Sequence, residues 1–293
     1  MHAANHFYGH AHVMARYADM PRPFMIWGYL QHGWNLLDGF AVGTKIIPGV
    51  PLFVWSDAVA RRGWAMGRRD YRVIGSAWAY LLKLQELERR VVEPAGRAGT
   101  IFYPFHGWEG QEVTGDHQRM LEQLREVEGD RPLTVCLYWV EHRNAAIREV
   151  YENAGCRVIT HGTRGFGYRG TDIEFLWKQY AELRAHERVV SNRLGSAILY
   201  GASVGCEVGV YGDPMILENE HPVYGGIERQ RRNWPELHQE FVPRDFVGEL
   251  AATELGLRHV REPAEIMDLF AWTRPGSGVA DRVAREMSRE GAA

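Results

Sequence analysis

The chain has 293 residues, of which 45% are hydrophobic and 24% charged, and a formal net charge of −3. These values are typical of a soluble globular protein with one large or two medium domains, and they exclude the basic excess that broad nucleic-acid binding needs. The N-terminus has no apolar signal core, and no run of about 18 apolar residues occurs. We therefore expect a cytoplasmic protein without a transmembrane segment, with at most peripheral membrane contact.

The cysteines and the N-terminal histidines bear on the redox compartment and on metal binding. Three cysteines, Cys136, Cys156 and Cys206, lie in or beside predicted strands and helix ends, which favours buried thiols in a reducing compartment. Four histidines stand close together within the first 12 residues. Because no cysteine or carboxylate pair completes a tetrahedral ligand set there, we expect no metal site.

The first lobe contains three predicted strands and two helices. A strong β-prone run, 24–30, leads directly into Gln31-His32-Gly33-Trp34-Asn35. A strand over 52–55, a helix capped at Ser56, a strand over 71–74 and an amphipathic helix over 78–92 follow. The polar segment 93–99 carries Pro and two Gly, which predicts a linker. It divides the chain into an N-terminal lobe, residues 1–95, and a C-terminal lobe, residues 96–293.

The second lobe repeats the alternation of strands and helices. Strands are predicted over 100–105, 133–139 and 157–160, and helices over 116–127, 144–153 and 172–186. The first strand ends in a turn that contains His106 and Glu109, and a Gly-rich basic loop, 161–170, follows the third. Glycines let the backbone of such a loop approach a ligand closely. Two further helices are predicted near the C-terminus.

The segment 188–213 predicts a βαβ unit. A short strand ends in Ser191-Asn192-Arg193, Ser196 is a good N-cap for a helix over 197–203, and a second strand ends before Asp213. Free N–H groups at the start of such a helix suit an anion such as a diphosphate. However, the segment has no GxGxxG and no GxxxxGK[ST], and these residues equally suit a simple cap in contact with solvent.

The order of elements predicts an α/β fold. Alternating strands and helices, with Gly, His, Ser and Arg at the strand ends, indicate two open, mostly parallel sheets that face one another across a cleft. Five polar, Gly-rich or basic turns would then open at one rim.

The motifs resemble those of GT-B-fold glycosyltransferases, which have two Rossmann-like lobes. Three features carry the likeness. A strand leads into Gln31-His32-Gly33, the second lobe begins with an aliphatic strand that leads into Tyr103-Pro104, and the Ser191-Asn192-x-x-x-Ser196 unit follows later. The likeness is greatest to the group of CDP-glycerol glycerophosphotransferases and capsule polysaccharide transferases. The resemblance implies that His32 is the catalytic base and that Ser191, Asn192 and Ser196 hold the donor diphosphate. The N-terminal lobe is abbreviated for this fold, so that acceptor binding would involve a partner or a second copy of the chain in a homo-oligomer.

The chemistry of transfer from a nucleotide-activated donor suggests further candidate site residues. An imidazole titrates near neutrality, which suits His32 as a base, with Asp38 or a backbone carbonyl to orient it. Arginines that follow strands of the second lobe are suited to neutralise the charge of the departing diphosphate, in place of a metal ion. The candidate donor-binding residues are Arg143, His161, Arg164, Ser191, Asn192, Arg193 and Ser196. The other cleft candidates are Gln31, Trp34, His106, Glu109 and Glu141. For each of these, a structural or surface role is the competing interpretation.

The expected function is metal-independent, inverting transfer of a sugar, or of a polyol phosphate, from a nucleotide-activated donor to an acceptor hydroxyl, without a further cofactor. The chain has no Asp-x-Asp and no nucleophile elbow, which disfavours a metal-dependent GT-A mechanism and a Ser/His/Asp hydrolase. A UDP-sugar 2-epimerase-like enzyme remains an alternative because carboxylates for proton transfer are present, namely Glu109, Glu112, Glu141 and Asp213. A non-catalytic nucleotide-sugar-binding accessory protein is the third possibility.

Overall fold

The computed structural model describes residues 2–41, 43–88, 96–108, 110–165 and 170–272. The strands are β1 (Tyr29–Leu30), β2 (Leu52–Val54), β3 (Tyr71–Val73), β4 (Thr100–Tyr103), β5 (Val113–Thr114), β6 (Leu133–Cys136), β7 (Arg157–Ile159), β8 (Arg188–Ser191), β9 (Glu207–Val210) and β10 (Ile216–Leu217). The helices are α1 (His10–Tyr17), α2 (Asp57–Ala65), α3 (Ala77–Leu87), α4 (His117–Glu128), α5 (Trp139–Arg143), α6 (Ala145–Glu152), α7 (Phe175–Ala185), α8 (Ser196–Ser203), α9 (Gly226–Asn233), α10 (Arg244–Glu254) and α11 (Pro263–Leu269). Short 3-10 turns cover Ala3–Gly9, Pro222–Tyr224, Pro235–Leu237 and Leu257–His259.

Two parallel sheets form the framework. The first has the order β1-β2-β3, and the second has the order β7-β6-β4-β8-β9. All neighbouring strands in both sheets are parallel, while β5 and β10 form a separate antiparallel pair. The prediction of an α/β fold with two mostly parallel, Rossmann-like sheets is confirmed.

The strand order of the second sheet locates its natural binding crevice. The chain begins at the central strand β4, extends outward through β6 and β7, and then returns to β8 on the other side of β4. At such a switch point the loops leaving β4 and β8 diverge and leave a crevice at the carboxyl ends of the strands. The segments after Tyr103 and after Ser191 are therefore placed to form a site.

A shared hydrophobic core joins the two sheets. Trp78 of α3 stacks on Tyr200 of α8 with ring centroids 4.3 Å apart and planes 10° apart, and its Nε1 donates to Oγ of Ser203 at 2.9 Å. Both rings are buried. Burial of such side chains stabilises each by roughly 1.5–3 kcal/mol, so this helix–helix contact holds the sheets together.

The end of the chain returns to the first sheet. The backbone N–H of Ser76 donates to the carbonyl of Leu255 at 3.0 Å, and the ring of Phe270 packs edge-on against Phe53 with centroids 4.9 Å apart. Residues 255–272 thus contact the first lobe although they follow the second in sequence. The predicted boundary at residue 95 lies outside the described residues and stays a prediction.

One predicted strand is much shorter than expected. Of the run 24–30, only Tyr29 and Leu30 pair with β2, and the side chain of Trp27 is 61% exposed. Hydrophobicity alone predicted a seven-residue strand, but β2 has only three residues and offers no further backbone partners on this side. In the βαβ unit, by contrast, β8, α8 and β9 form as predicted, with Arg188 opposite Glu207 in parallel register.

Candidate functional site

A cavity of about 940 Å³ is lined by residues of both lobes. It is bordered by the segments that follow β1, β4 and β8, as the switch point of the second sheet requires. Eight predicted site residues line it: His32, Trp34, His106, His161, Arg164, Ser191, Arg193 and Ser196. Predicted residue Glu109 lies outside the described residues.

The turn after β1 contacts the start of α8 directly. The backbone N–H of Trp34 donates to Oγ of Ser196 at 2.9 Å. A Cβ built on Gly33 would lie 3.9 Å from the same oxygen. The predicted N-cap role of Ser196 is therefore wrong: the N-cap residue is Gly195, and the Ser196 hydroxyl accepts from the other lobe instead.

His32 faces the cavity from the first lobe. Its Nδ1 is buried and has no hydrogen-bond partner among the described residues, and its ring packs edge-on against Phe7 at 5.1 Å. Desolvation lowers the pKa of His32 to about 3, and positive charge on His10 and Arg164 adds to this effect. The imidazole is therefore neutral at pH 7, the form that accepts a proton.

Asp38, suggested above as the residue that orients His32, has other partners. Its Oδ2 accepts from Nη1 of Arg68 at 2.6 Å and from the hydroxyl of Tyr71 at 2.8 Å. The carboxylate is fully buried inside the first lobe. It stabilises the packing of β3 and the 38–40 turn, and the expectation that it orients His32 is not met.

The predicted phosphate cradle Ser191-Asn192-Arg193 is largely occupied by internal contacts. Oγ of Ser191 donates to the carbonyl of Tyr103 at 2.7 Å, and Oδ1 of Asn192 accepts from the N–H of Phe105 at 2.6 Å. These bonds hold together the two loops that diverge at the switch point.

Arg193 lines the cavity but is also anchored. Its Nε and Nη2 donate to the carbonyls of Pro214 at 2.7 Å and Met215 at 2.6 Å, and its Nη1 lies 3.4 Å from a carboxylate oxygen of Glu220. Burial lowers the pKa of Arg193, and Glu220 partly offsets this. Arg193 therefore contributes fixed positive charge beside the cavity while it shapes the loop after β9.

The Gly-rich loop contributes a histidine and an arginine to the cavity wall. Nε2 of His161 lies 2.9 Å from the hydroxyl of Tyr103, and burial lowers the pKa of His161 to about 3. The guanidinium of Arg164 lies over the ring of Phe7 at 4.3 Å. Arg164 is thus a cation held by an aromatic face in the cavity, close enough to lower the pKa of His32.

Four predicted residues do not line the cavity. Gln31 is fully buried, where its Oε1 accepts from the N–H of Trp55 at 2.9 Å, and Asn192 bridges loops as described. Arg143 is exposed, with its guanidinium over the ring of Trp139 at 4.5 Å. Glu141 accepts from the N–H of Gly107 at 3.0 Å, which fixes the turn that carries His106. Each follows a strand, but its side chain turns toward its own lobe.

Of the carboxylates considered for the epimerase alternative, Glu112, Glu141 and Asp213 do not line the cavity, and Glu109 is not among the described residues. Glu112 is exposed, Glu141 holds the Gly107 turn, and Asp213 accepts from the N–H of Met215 at 2.9 Å. Glu207 lies at the opposite end of β9, where it pairs with Arg244 at 3.2 Å. Among the described residues of the lining, Glu220 is the one carboxylate, and it is paired with Arg193.

Several lining residues were not predicted from the sequence, namely His10, Tyr200, Tyr224 and Gln230. Tyr200 lies in the helix predicted over 197–203, whereas Tyr224 and Gln230 belong to segments that carry no motif. Gln230 of α9 accepts from the N–H of Leu194 at 3.0 Å and donates to its carbonyl at 3.1 Å, which clamps the loop before α8. In sequence, only the early cluster of histidines was a signal for His10, and that cluster was not predicted to form a site.

No protein-family model and no curated protein matches the chain. Solved structures do resemble it. A UDP complex of MnaA from S. aureus has a TM-score of 0.38 and 11% identity, over 77% of this chain and 61% of that one. UDP-GlcNAc 2-epimerase from Neisseria meningitidis bound to UDP-GlcNAc has a TM-score of 0.35 and 13% identity, over 74% and 60%. The wall teichoic acid polymerase TagF has a TM-score of 0.34 and 12% identity, over 86% and 66%.

By their names, these structures include a UDP-GlcNAc 2-epimerase and a wall teichoic acid polymerase. The chain spans only about 60–66% of their lengths. Because all three TM-scores lie below 0.5, the function has to be inferred from the chain's own side chains.

Two further features of the described residues concern metal ions and membranes. Within the part of the chain that the structure describes, no group of three or more His, Cys, Asp or Glu side chains is arranged to hold a metal ion. In the same residues, every helix is too short or too polar to cross a membrane.

Proposed function

We propose that the chain transfers a sugar or a polyol phosphate from a nucleotide-activated donor to an acceptor hydroxyl, with His32 as the general base and without a metal ion. One observation carries this proposal. The turn that bears His32 and the first residue of α8 are in hydrogen-bond contact within one cavity, through Trp34 and Ser196. A base and an anion-binding helix start therefore meet at the same place.

The start of α8 offers the diphosphate site. The first N–H groups of a helix lack intrahelical partners and carry the positive end of the helix dipole, which favours an anion. Gly195, just before the helix, lines the cavity, and a Cβ built there would meet no atom within 4 Å. A phosphate can therefore approach this backbone closely, and Arg164 and Arg193 add positive charge to the cavity wall.

His32 is in the correct protonation state for a base but is weakly basic in the free protein. Its low pKa follows from desolvation and from nearby positive charge. A bound diphosphate brings negative charge into the same cavity, which raises the pKa of His32 toward the range in which general bases are effective. Donor binding would thus activate the base.

The two lobes have different tasks in the proposed reaction. The N-terminal lobe, residues 1–95, supplies the acceptor side with Trp34 and His32, and residues 96–293 supply the donor side. Epimerase chemistry would need a free carboxylate beside the sugar, and Glu220, the one carboxylate among the described lining residues, is paired with Arg193.

The first experiment is a thermal-shift panel with UDP, GDP, CDP, CMP and dTDP. Ligand that binds only the folded state raises the melting temperature, by an amount that grows with its concentration relative to Kd. We expect one nucleoside diphosphate to raise it most. If none of the five changes the melting temperature at millimolar concentration, the chain has no nucleotide-donor site and the proposal is wrong.

The second experiment identifies the reaction. The preferred nucleotide, activated with glucose, N-acetylglucosamine or glycerol phosphate, is incubated with and without glycerol as an acceptor. Acceptor-dependent release of the nucleotide supports transfer. Isomerised sugar without an acceptor indicates the epimerase alternative, and binding without turnover indicates an accessory protein.

A further inference from the structure

Glu220 is a carboxylate in the wall of a cavity that is proposed to take an anion. Its side chain is 23% exposed, and its Oε2 lies 3.4 Å from Nη1 of Arg193. Like charges repel one another, so a carboxylate beside the proposed diphosphate site opposes binding of that ligand. The proposed transfer gives Glu220 no task, although it is the one carboxylate among the described lining residues.

The guanidinium of Arg193 is held in place without Glu220. Its Nε and Nη2 donate to the carbonyls of Pro214 at 2.7 Å and Met215 at 2.6 Å, and its Cζ lies 3.9 Å from the centre of the Phe105 ring. Nη1 donates to Glu220, and 3.4 Å is longer than the roughly 2.7–2.9 Å of a good charge-assisted bond. Arg193 is therefore a fixed cation that lines the cavity, and its bond to Glu220 is the loosest of the three.

Glu220 itself is carried by a lightly held segment. Its N–H donates to the carbonyl of Leu217 at 3.2 Å, and Asn219 in this turn has φ +55°, a conformation that Asn tolerates. Asn219 is exposed, and β10, which precedes the turn, pairs with β5 through two residues on each strand. Segments with few contacts open more readily than the core. Of the two partners in the ion pair, Glu220 is therefore the one that moves.

The start of α9 gives the carboxylate of Glu220 a second partner. A Cβ built on Gly226, the first residue of α9, would lie 3.4 Å from Oε2 of Glu220. The first N–H groups of a helix lack intrahelical partners and favour an anion, and the N-cap residue here, Gly225, has no side chain to cap them. A rotation of the Glu220 side chain can therefore exchange Arg193 for these N–H groups, so that the carboxylate stays paired.

We propose that Nη1 of Arg193 is a phosphate subsite, that Glu220 occupies it in the free chain, and that a phosphate group of the ligand takes the place of the carboxylate. Arg193 is two residues from Gly195, which brings the subsite next to the start of α8. The inference rests on the proposed function and makes Glu220 an internal competitor of the donor. The phosphate belongs to the nucleotide or to a phosphorylated acceptor, since both have the same chemistry.

The affinity for inorganic pyrophosphate, measured by calorimetry on the full chain, tests the competition. Glu220→Gln preserves the shape of the side chain and removes its charge, so the Kd should fall about 3- to 10-fold, as for the loss of one competing hydrogen bond. Glu228→Gln, at an exposed carboxylate of α9 that pairs with Arg231, is the matched control and should change the Kd less than about twofold. An unchanged Kd in Glu220→Gln, or equal falls in the two variants, overturns the proposal.

A double-mutant cycle separates competition for Arg193 from repulsion through space. In Arg193→Gln there is no guanidinium for Glu220 to occupy, so the further change Glu220→Gln should alter the Kd less than about twofold. Simple repulsion predicts the same fall in both backgrounds, and that result would contradict the exchange.

NMR of the wild-type chain follows the exchange directly and does not depend on the folding of Arg193→Gln. The side-chain carboxyl carbons of glutamate are labelled with ¹³C, and the Glu220 signal is assigned with Glu220→Gln. We expect pyrophosphate to move this signal and uridine, which has no phosphate, to leave it in place. UDP and glycerol 3-phosphate are then compared, and the one that moves the signal at the lower concentration identifies the source of the phosphate.

The outcomes separate this inference from the proposed function. If pyrophosphate binds and the Glu220 signal stays in place, or if pyrophosphate binds neither the wild type nor Glu220→Gln, the subsite is overturned, even if UDP raises the melting temperature and transfer proceeds. If the signal moves and Glu220→Gln binds pyrophosphate more tightly, while none of the five nucleotides raises the melting temperature, the subsite stands and the transferase proposal fails.

Discussion

The backbone N–H of Trp34 donates to Oγ of Ser196 at 2.9 Å, and this bond joins residues 162 positions apart. The indole Nε1 of the same Trp34 donates to Oε2 of Glu254 at 2.7 Å, and both oxygens of Glu254 accept from the guanidinium of Arg62, at 2.8 and 2.7 Å. The turn that bears His32 is therefore held against the second lobe by two independent polar contacts. Its position relative to α8 is fixed before any ligand binds.

Replacing Glu254 should loosen this clamp. Glu254→Ala removes the partner of both Trp34 Nε1 and Arg62, and the carboxylate is nearly fully buried whereas Arg62 is a quarter exposed. We expect a loss of about 2–3 kcal/mol in the free energy of unfolding, measured with urea. Glu86→Gln, in the exposed pair with Lys83, is the control and should cost less than about 0.5 kcal/mol. Equal losses in the two variants would show that the clamp has no special role.

His32→Ala should abolish most turnover while donor binding remains. Loss of a general base typically lowers kcat by about 10²- to 10⁴-fold. The thermal shift with the preferred nucleotide should stay close to that of the wild type, because the proposed diphosphate contacts lie at the start of α8. His142→Ala is the control outside the cavity. Unchanged kcat in His32→Ala would remove this residue from the mechanism.

Acid should destabilise the protein through its buried histidines. The pKa of His161 is about 3 in the folded chain and about 6.5 when unfolded, so the unfolded state binds the extra proton between these values. The unfolding free energy is therefore highest above pH 6.5 and falls as the pH falls toward 3, by up to about 1.4 kcal/mol per pH unit for this group. His161→Gln should flatten the profile of urea unfolding between pH 7.5 and 4.5. An unaltered slope in His161→Gln would contradict the assignment.

Two glycines near the site should differ in how far alanine lowers the stability. Gly39 has φ +82°, and a Cβ there would lie 2.3 Å from Cδ of Gln31, whose side chain is fixed by Trp55. Gly39→Ala should therefore lose about 1–3 kcal/mol of stability. A Cβ on Gly33 would make only an ordinary contact with Ser196, so Gly33→Ala should change stability by less than about 0.5 kcal/mol.

The same Gly33→Ala variant tests the site. Its methyl group would enter the space between the His32 turn and α8, where the proposed donor phosphate approaches. We expect weaker nucleotide binding in the thermal-shift panel despite normal folding. If binding and turnover equal those of the wild type, the phosphate does not pass this point.

Local signals in the sequence determined the elements around the site. Ser56 caps its helix by accepting from the backbone N–H of Val59 at 3.3 Å, as its position before an apolar periodic segment predicts. Asp116, predicted as the first residue of its helix, is instead the N-cap and accepts from the N–H of Arg119 at 2.9 Å. The alternation of strands with helices was enough to predict parallel sheets, because a parallel neighbour needs a crossover. It was also enough to place His32 and the 191–196 segment at carboxyl ends of strands.

Only the tertiary structure decided which polar side chains face the cavity. Arg143 and Arg164 both follow strands of the second lobe, yet Arg143 is exposed beside Trp139 and Arg164 lies over Phe7 of the other lobe. The Ser196 hydroxyl does not cap its helix as predicted but accepts from the N–H of Trp34, which is distant in sequence. His10 lines the cavity although it was not predicted as a site residue. Caps and periodicity depend on neighbours within a few residues, whereas side-chain direction and burial depend on contacts between segments that the sequence separates. The local sequence therefore determined the helices and strands of this protein, whereas the packing of the two lobes determined which side chains form its site.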